Sequence, residues 1–145
     1  MLGVNKGAKR ESVEAVLEQF KKGNRNVDEA YGKIKEIERE IPDIVQALEQ
    51  LSDILCQVTY FQKAYDILSA ASKDIKGNPV LHELIARIAF VMENFEKCIF
   101  HNKKAAELQP ESCFHNYSDI GLAYYRLGLQ AGMNKHFETA FKFCR

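Results

Sequence analysis

Two cysteine–histidine pairs are the residues of this sequence whose types and spacing could support chemistry. Cys98 and His101 lie three positions apart, and Cys113 and His115 lie two positions apart. Thiolate and imidazole groups bind zinc, and a cysteine beside a base can serve as a nucleophile. Structural zinc needs four converging ligands, usually including two closely spaced cysteines, and this sequence has no such cysteine pair. We therefore expect no metal site and no cofactor.

Motifs of the common enzyme classes are missing from the sequence. It contains no hydrolase serine motif, no phosphate-cradling glycine loop and no metalloprotease helix. Cys98 stands at an interval of 34 residues from Ala64, which itself follows Ala30 by 34. A small residue that recurs in this way is typical of a buried packing position, so Cys98 is predicted to be part of a core. We expect the protein not to be an enzyme.

The composition is that of an ordinary globular domain. The 145 residues are 46% hydrophobic and 28% charged, and 20 basic residues balance 20 acidic residues. A net charge of zero favours neither nucleic acid nor an anionic membrane as a partner. No apolar stretch is long enough to span a bilayer, and the N-terminus lacks the apolar core of a signal peptide. Together with four cysteines without paired spacing, these features predict a cytoplasmic protein.

An internal repeat organises the chain. Leu17, Leu51 and Ile85 are spaced by 34 residues, and an offset of 35 leads from Ile85 to Ile120. The extra residue is placed near Ser112–His115. A fixed period of this length indicates stacked structural units, each of which is too small to bury its own apolar face.

Within each unit the apolar residues recur every three or four positions, which is helical and not strand periodicity. Each unit is predicted to contain two helices, with turns at Gly23–Asn26, Thr59, Glu93–Asn94 and Gly128. Ser12 is a candidate cap for the first helix. The predicted fold is therefore all-α.

The segment Glu93–Pro110 and the residues Ile120–Gly128 resemble the tetratricopeptide repeat family. Asn94–Phe95, Cys98, Ala105 and Pro110 are similar to the second helix of the family's motif. The aromatic residue usual early in the first helix is replaced by Leu48, His82 and Asn116. The resemblance implies a right-handed superhelix of about four stacked helix-turn-helix repeats, with roughly eight helices. It also implies a concave groove, lined by the first helices, that binds a peptide or helix of another protein.

The predicted domain organisation follows from the same repeats. Residues 1–10 are expected to be a frayed N-terminal segment, and residues 11–145 are expected to form a single domain similar to tetratricopeptide repeats. The repeats are placed at about 11–44, 45–78, 79–112 and 113–145.

The family's inward-facing positions, carried along the period, predict the groove residues. These are Gln46, Glu49, Asp53, Gln57, Glu83, Arg87, Phe90, His115, Ser118, Leu122 and Tyr125. Glu49 and Asp53 share a helical face and Glu83 repeats Glu49, which predicts an acidic end of the groove, while Phe90 and Tyr125 predict an aromatic end. Such a groove suits a partner peptide or helix with Lys or Arg followed by apolar residues. The alternative for the charged residues is an ordinary solvated helix face.

The C-terminal end has apolar residues without a following unit to cover them. Phe137, Phe141 and Phe143 are candidate self-association residues. Either the final helix folds differently, or the chain is a fragment of a longer protein, or this end pairs with another copy or a partner. The leading hypothesis for function is a protein–protein interaction adaptor. The alternative is a structural or chaperone-like scaffold that associates with itself through this end.

Overall fold

The computed structural model describes residues 12–23, 26–128 and 130–143, with side chains at all of these positions except 130, 131 and 143. All of the regular secondary structure in these ranges is helical, which confirms the predicted all-α fold. The expected fraying of residues 1–10 lies outside the described residues. The helices are α1 (Val13–Lys22), α2 (Val27–Ile37), α3 (Ile41–Gln57), α4 (Phe61–Asp74), α5 (Pro79–Val91), α6 (Phe95–Leu108), a short 3-10 helix (Pro110–Ser112), α7 (Phe114–Arg126) and α8 (Gln130–Phe143).

Short polar side chains begin several of these helices. The hydroxyl of Ser12 accepts a hydrogen bond from the backbone N–H three residues later, at 3.1 Å, which confirms the predicted cap of α1. Asn26, Asn78 and Asn94 cap α2, α5 and α6 in the same way. Each cap satisfies an N–H group that has no partner inside the first turn of its helix.

Three of the turns between paired helices contain a residue with a similar positive φ angle. Thr59, Glu93 and Gly128 have φ angles of 63°, 62° and 77°. They are spaced by 34 and 35 residues, which matches the sequence period and its single insertion. A left-handed residue at this point closes each helix and reverses the chain, so the helical hairpin is the structural unit of the repeat.

The prolines begin helical elements in the structure. Pro42 lies in the first turn of α3, Pro79 is the first residue of α5, and Pro110 is the first residue of the 3-10 helix. Proline has no N–H group, and the first turn of a helix does not need one. As a result α3 begins at Ile41, four residues before the predicted start of the second repeat at 45.

The chain divides into two compact units, the first ending at Lys63 and the second beginning at Ala64. In the first unit α1 packs against α2, and both helices pack against α3. Phe20, Ile34 and Leu51 are completely or almost completely buried. Ser52 is also buried, and its hydroxyl donates to the carbonyl of Glu49 at 3.1 Å.

In the second unit α5 packs against α6, α6 against α7, and α7 against α8. Its core is formed by Ala86, Ala89, Phe95, Cys98, Ile99, Ile120 and Ala123. Tyr65 of α4 and the partly buried Phe90, Tyr117, Tyr124 and Leu127 pack against this core. Cys98 is 1% exposed, as expected for a packing residue.

Two glycines allow α7 and α8 to approach closely. A Cβ atom on Gly121 would lie 2.7 Å from Cε1 of Phe137, and one on Gly132 would lie 2.9 Å from Cδ1 of Tyr124. Each helix thus presents a glycine to an aromatic ring of the other. A glycine inside a helix costs about 1 kcal/mol of helix propensity relative to alanine. At these two positions the absence of a side chain allows α7 and α8 to pack closely.

Among the described residues, none of the helices is long and apolar enough to cross a membrane.

Candidate functional site

A cavity of about 300 Å³ lies in the second unit, between α5, α6 and α7. It is lined by Glu83, Ala86, Arg87, Phe90, Val91, Cys98, Asn102, His115, Asp119 and Leu122. A cavity of this size is at the lower end of the range of about 300–1,000 Å³ that is typical of ligand pockets.

Helical spacing brings the lining residues to one place. On α5, Glu83, Arg87 and Phe90 follow one another at intervals of four and three, so they share a face of the helix. The lining residues of α7 have the same spacing. From α6 come Cys98 and Asn102, which are 1% and 2% exposed and form the closed end of the cavity.

Glu83 is the centre of a hydrogen-bond network at this cavity. Its Oε2 atom accepts hydrogen bonds from Nε2 of Gln109 at 2.6 Å and from Nδ2 of Asn116 at 3.0 Å. The same oxygen pairs with Nε2 of His115. Hydrogen bonds to a carboxylate are among the stronger ones in proteins, so this side chain is held firmly in one position.

The network continues into the protein through two buried asparagines. Nδ2 of Asn116 also donates to Oδ1 of Asn102 at 3.2 Å, and Oδ1 of Asn116 accepts from Nε2 of Gln109 at 3.2 Å. Asn102 in turn donates to the carbonyl of Cys98 at 3.2 Å. Asn116 is fully buried, and a buried amide needs partners of this kind. The network therefore ties α5, α6 and α7 together beneath the cavity.

Two ionisable groups of the cavity have perturbed pKa values. Burial, with a smaller contribution from the carboxylate of Asp119, raises the pKa of the Cys98 thiol to about 11. Burial also raises the pKa of Asp119, and the negative charge of Glu83 adds to this effect, whereas His115 and Arg87 oppose it. At neutral pH Cys98 is therefore a neutral thiol and a weak nucleophile.

The structure brings five of the predicted groove residues together around this cavity, namely Glu83, Arg87, Phe90, His115 and Leu122. Ser118, half-buried on α7, and Tyr125, 60% exposed near the end of that helix, do not line the cavity. Glu83 is only 25% exposed because its carboxylate is occupied by partners inside the protein.

The four remaining groove residues lie on α3 of the first unit. Gln46, Asp53 and Gln57 are exposed and Glu49 is half-buried. Their spacing of three, four and four places them along one face of that helix. Their predicted participation in one groove with the residues of the second unit stays a prediction.

Sequence reasoning did not select Asn102, Gln109 and Asp119, and it misjudged the position of Asn116. With the offset of 35 that applies after the insertion, Asn116 corresponds to the buried Leu81, and Tyr117 corresponds to His82. The aromatic residue expected early in this helix is therefore present as Tyr117. An asparagine at a fully buried apolar position was the signal that a polar network lay here.

The candidate self-association residues have different environments. The ring of Phe137 packs onto Gly121 and is half-buried. Phe141 is 68% exposed and meets the edge of Phe114 at a centroid distance of 5.8 Å. The side chain of Phe143 lies outside the described residues.

His101, which the sequence pairs with Cys98, faces another histidine. Nδ1 of His101 and Nδ1 of His82 are 2.9 Å apart, so one ring donates a hydrogen bond to the other. Burial lowers the pKa of His101 to about 4, and it also lowers the pKa of His82. Within the described ranges, no three His, Cys, Asp or Glu side chains are grouped so that they could hold a metal ion.

Comparisons with known proteins bear on the fold. No family model matches the chain, and no curated protein sequence is significantly similar to it. A crystal structure of MamA is similar to it with a TM-score of 0.66 and 20% sequence identity, covering 94% of this chain and 80% of MamA. A second structure, of MamA from Desulfovibrio magneticus RS-1, has a TM-score of 0.65 and 18% identity, covering 95% of this chain and 78% of the other. MamA is an all-helical protein of tetratricopeptide-like fold. The chain therefore has a helical-repeat fold, and the resemblance noted in the sequence is supported at the level of fold.

Proposed function

We propose that the protein is a protein–protein interaction adaptor that binds a peptide or helix of a partner at the cavity between α5 and α7. The observation that carries this proposal is the cavity of about 300 Å³ with exposed apolar side chains at its opening. Leu122 is 48% exposed and Val91 is 53% exposed, and both line the cavity. Apolar side chains beside a concave surface contribute contact area to a docking partner.

The chemistry of the cavity favours binding over catalysis. Glu83, the best-placed carboxylate, has its Oε2 occupied by three donors and is poorly suited to transfer a proton. Cys98 has a raised pKa and no adjacent base among its hydrogen-bond partners, so it is not an activated nucleophile. A fixed polar network with apolar walls is suited to recognising a ligand without changing it.

Site-specific photo-crosslinking tests the adaptor proposal. A photo-reactive phenylalanine analogue at Leu122 should crosslink to a partner protein in cells that express the 145-residue chain. The matched control places the same analogue at Phe100, which is 50% exposed on α6 and does not line the cavity. Crosslinks from position 122 that disappear when Phe90 is replaced by Ala support the proposal. Equal crosslinking from both positions would show that the cavity is not the docking site.

A second candidate function, self-association, is favoured by the exposure of Phe141. Its ring and that of Phe114, which is 39% exposed, form an apolar patch on α8 and α7. If this patch joins two copies, sedimentation at high micromolar concentration should detect a dimer that Phe141→Glu dissociates. A monomer under these conditions, unchanged by the substitution, would remove this candidate.

A further inference from the structure

Asp119 is the carboxylate of the cavity that remains available to a ligand. In the part of the chain that the structure describes, it makes no hydrogen bond and no ion pair. Glu83, by contrast, accepts hydrogen bonds from two side-chain amides and pairs with His115. The sequence predicted that Glu83 would meet a basic partner, and the structure shows its Oε2 committed within the protein.

The cavity wall next to Asp119 is apolar. Phe90 and Val91 of α5 and Leu122 of α7 line the same space, with Ala86 between the helices. A ligand that fills this space must therefore bury a hydrocarbon portion and still offer a partner to a carboxylate. Lysine and arginine side chains have this composition, since a flexible apolar stem carries the charged group at its end.

We propose that the cavity binds a lysine or arginine side chain of the partner, with its stem against Phe90 and Leu122 and its charged group on Asp119. This inference rests on the proposed adaptor function and adds the chemistry of the bound residue. It assigns the choice of partner to Asp119, a residue that the groove positions inferred from the sequence do not include.

The charges around the cavity favour a cation over an anion. Two carboxylates, Glu83 and Asp119, line it together with a single residue that is always cationic, Arg87. Arg87 already interacts with another group of the protein. An acidic side chain would add a third carboxylate to this surface, whereas a cation would relieve the repulsion between the two that are present.

The electrostatic environment of Asp119 also favours a cationic ligand. Partial desolvation of its carboxylate raises its pKa, and the nearby negative charge of Glu83 adds to this effect, whereas His115 and Arg87 act in the opposite direction. A bound ammonium or guanidinium group would offset both effects, because an opposite charge at close range favours the ionised form of a carboxylate. A cationic ligand in the cavity would therefore stabilise the ionised form of Asp119.

Small side-chain analogues provide a direct test with the 145-residue chain. The probes are n-butylammonium and n-propylguanidinium as cations, n-butanol as the neutral analogue and butyrate as the anion. Each is titrated while the backbone amide shifts of α5, α6 and α7 are followed by NMR. We expect the cations to shift the amides around Cys98 and Asp119, with a Kd about fivefold lower than that of n-butanol, and butyrate to bind most weakly.

Substitutions test whether Asp119 causes the preference for cations over n-butanol. Asp119→Asn should make the two cations and n-butanol equivalent, and Asp119→Glu should restore part of the preference. Glu96→Gln, which removes an exposed carboxylate of α6 outside the cavity, should leave the preference intact. If Asp119→Asn fails to fold, the order of the four probes with the wild-type chain still decides the question.

The outcomes separate this inference from the adaptor proposal. Binding of n-butanol or butyrate at the cavity with an affinity equal to that of the cations would overturn the role of Asp119 while leaving a ligand-binding cavity. A cation preference that survives in Asp119→Asn would also overturn it. If none of the probes shifts the cavity amides, both the inference and the proposed docking site are wrong.

Discussion

Asn116 on α7 donates a hydrogen bond of 3.0 Å to the carboxylate of Glu83 on α5, although the two residues are 33 positions apart in the chain. Asn116 is completely buried, and its side chain also reaches Asn102 on α6. Three helices from two successive hairpins therefore meet at one amide group. This contact determines how the cavity residues are held, because the carboxylate of Glu83 is fixed by it.

Replacing Asn116 by Ala should destabilise the protein by about 2–3 kcal/mol, because the buried Oδ1 of Asn102 loses its donor and Glu83 loses one of three. The free energy of unfolding in urea measures this effect. Asn134→Ala on α8 is the matched control, since Asn134 is exposed and a surface substitution changes stability by about 0.5 kcal/mol or less. Equal stability of the two variants would mean that the network contributes little.

The repeat could be predicted from the sequence because burial itself repeats. Ala30, Ala64 and Cys98 share one position of the period, and all three are buried in the structure. Apolar residues are selected by burial, and burial in a helical hairpin depends mainly on position within that hairpin. The fold could therefore be predicted from a single sequence.

Only part of the cavity could be predicted from the sequence. Glu83, Arg87 and Leu122 were predicted as groove residues because they match the inward-facing positions of the tetratricopeptide repeat family, carried along the period of the chain. The roles of Asn102 and Gln109 could not be predicted, because they depend on which side chains of different helices come within hydrogen-bond distance. Such contacts have no period in the sequence, and the one-residue insertion before α7 changes the register at which they form.

Gly121→Ala and Gly32→Ala should change stability in opposite directions. At Gly121 the new methyl group would lie 2.7 Å from the ring of Phe137, and such overpacking typically costs about 1–3 kcal/mol. At Gly32, inside α2, the new methyl group would meet no atom within 4 Å among the described residues, apart from its chain neighbours and its own helix backbone. The higher helix propensity of Ala should therefore add about 0.5–1 kcal/mol. Thermal and urea unfolding of both variants measure the difference.

The loss of stability in Gly121→Ala should depend on the ring of Phe137. In a double-mutant cycle, Gly121→Ala combined with Phe137→Leu should cost less than the sum of the two single changes, because the smaller side chain leaves room for the methyl group. Additive costs would show that the ring of Phe137 is not what excludes a side chain at position 121.

The stability of the protein should fall as the pH is lowered from about 6.5 towards 4. Burial and the neighbouring His82 lower the pKa of His101 from 6.5 to about 4. In this interval the unfolded chain binds a proton at His101 and the folded protein does not, so protonation favours unfolding. The lowered pKa of His82 acts in the same direction. Urea unfolding midpoints measured at several pH values give the slope of stability against pH.

The variant His101→Gln should reduce this slope. Glutamine can still donate a hydrogen bond to Nδ1 of His82, and it does not titrate. Wild type and variant contain the same carboxylates, so the difference between their slopes isolates the imidazole. Identical pH dependence in the two proteins would mean that His101 takes up its proton without unfolding.

Cys98 should react slowly with an alkylating reagent in the folded protein, although it lines the cavity. Burial raises the pKa of its thiol from 9.0 to about 11, so the reactive thiolate at pH 8 is about 100-fold scarcer than for an ordinary cysteine. Cys56 on α3 is half-buried and is the internal comparison. Iodoacetamide followed by peptide mass spectrometry should label Cys56 first and should label both residues at similar rates in urea. Labelling of Cys98 as fast as that of Cys56 without urea would show that the cavity admits water and the reagent to its closed end, and the assignment of Cys98 to the core would then be wrong.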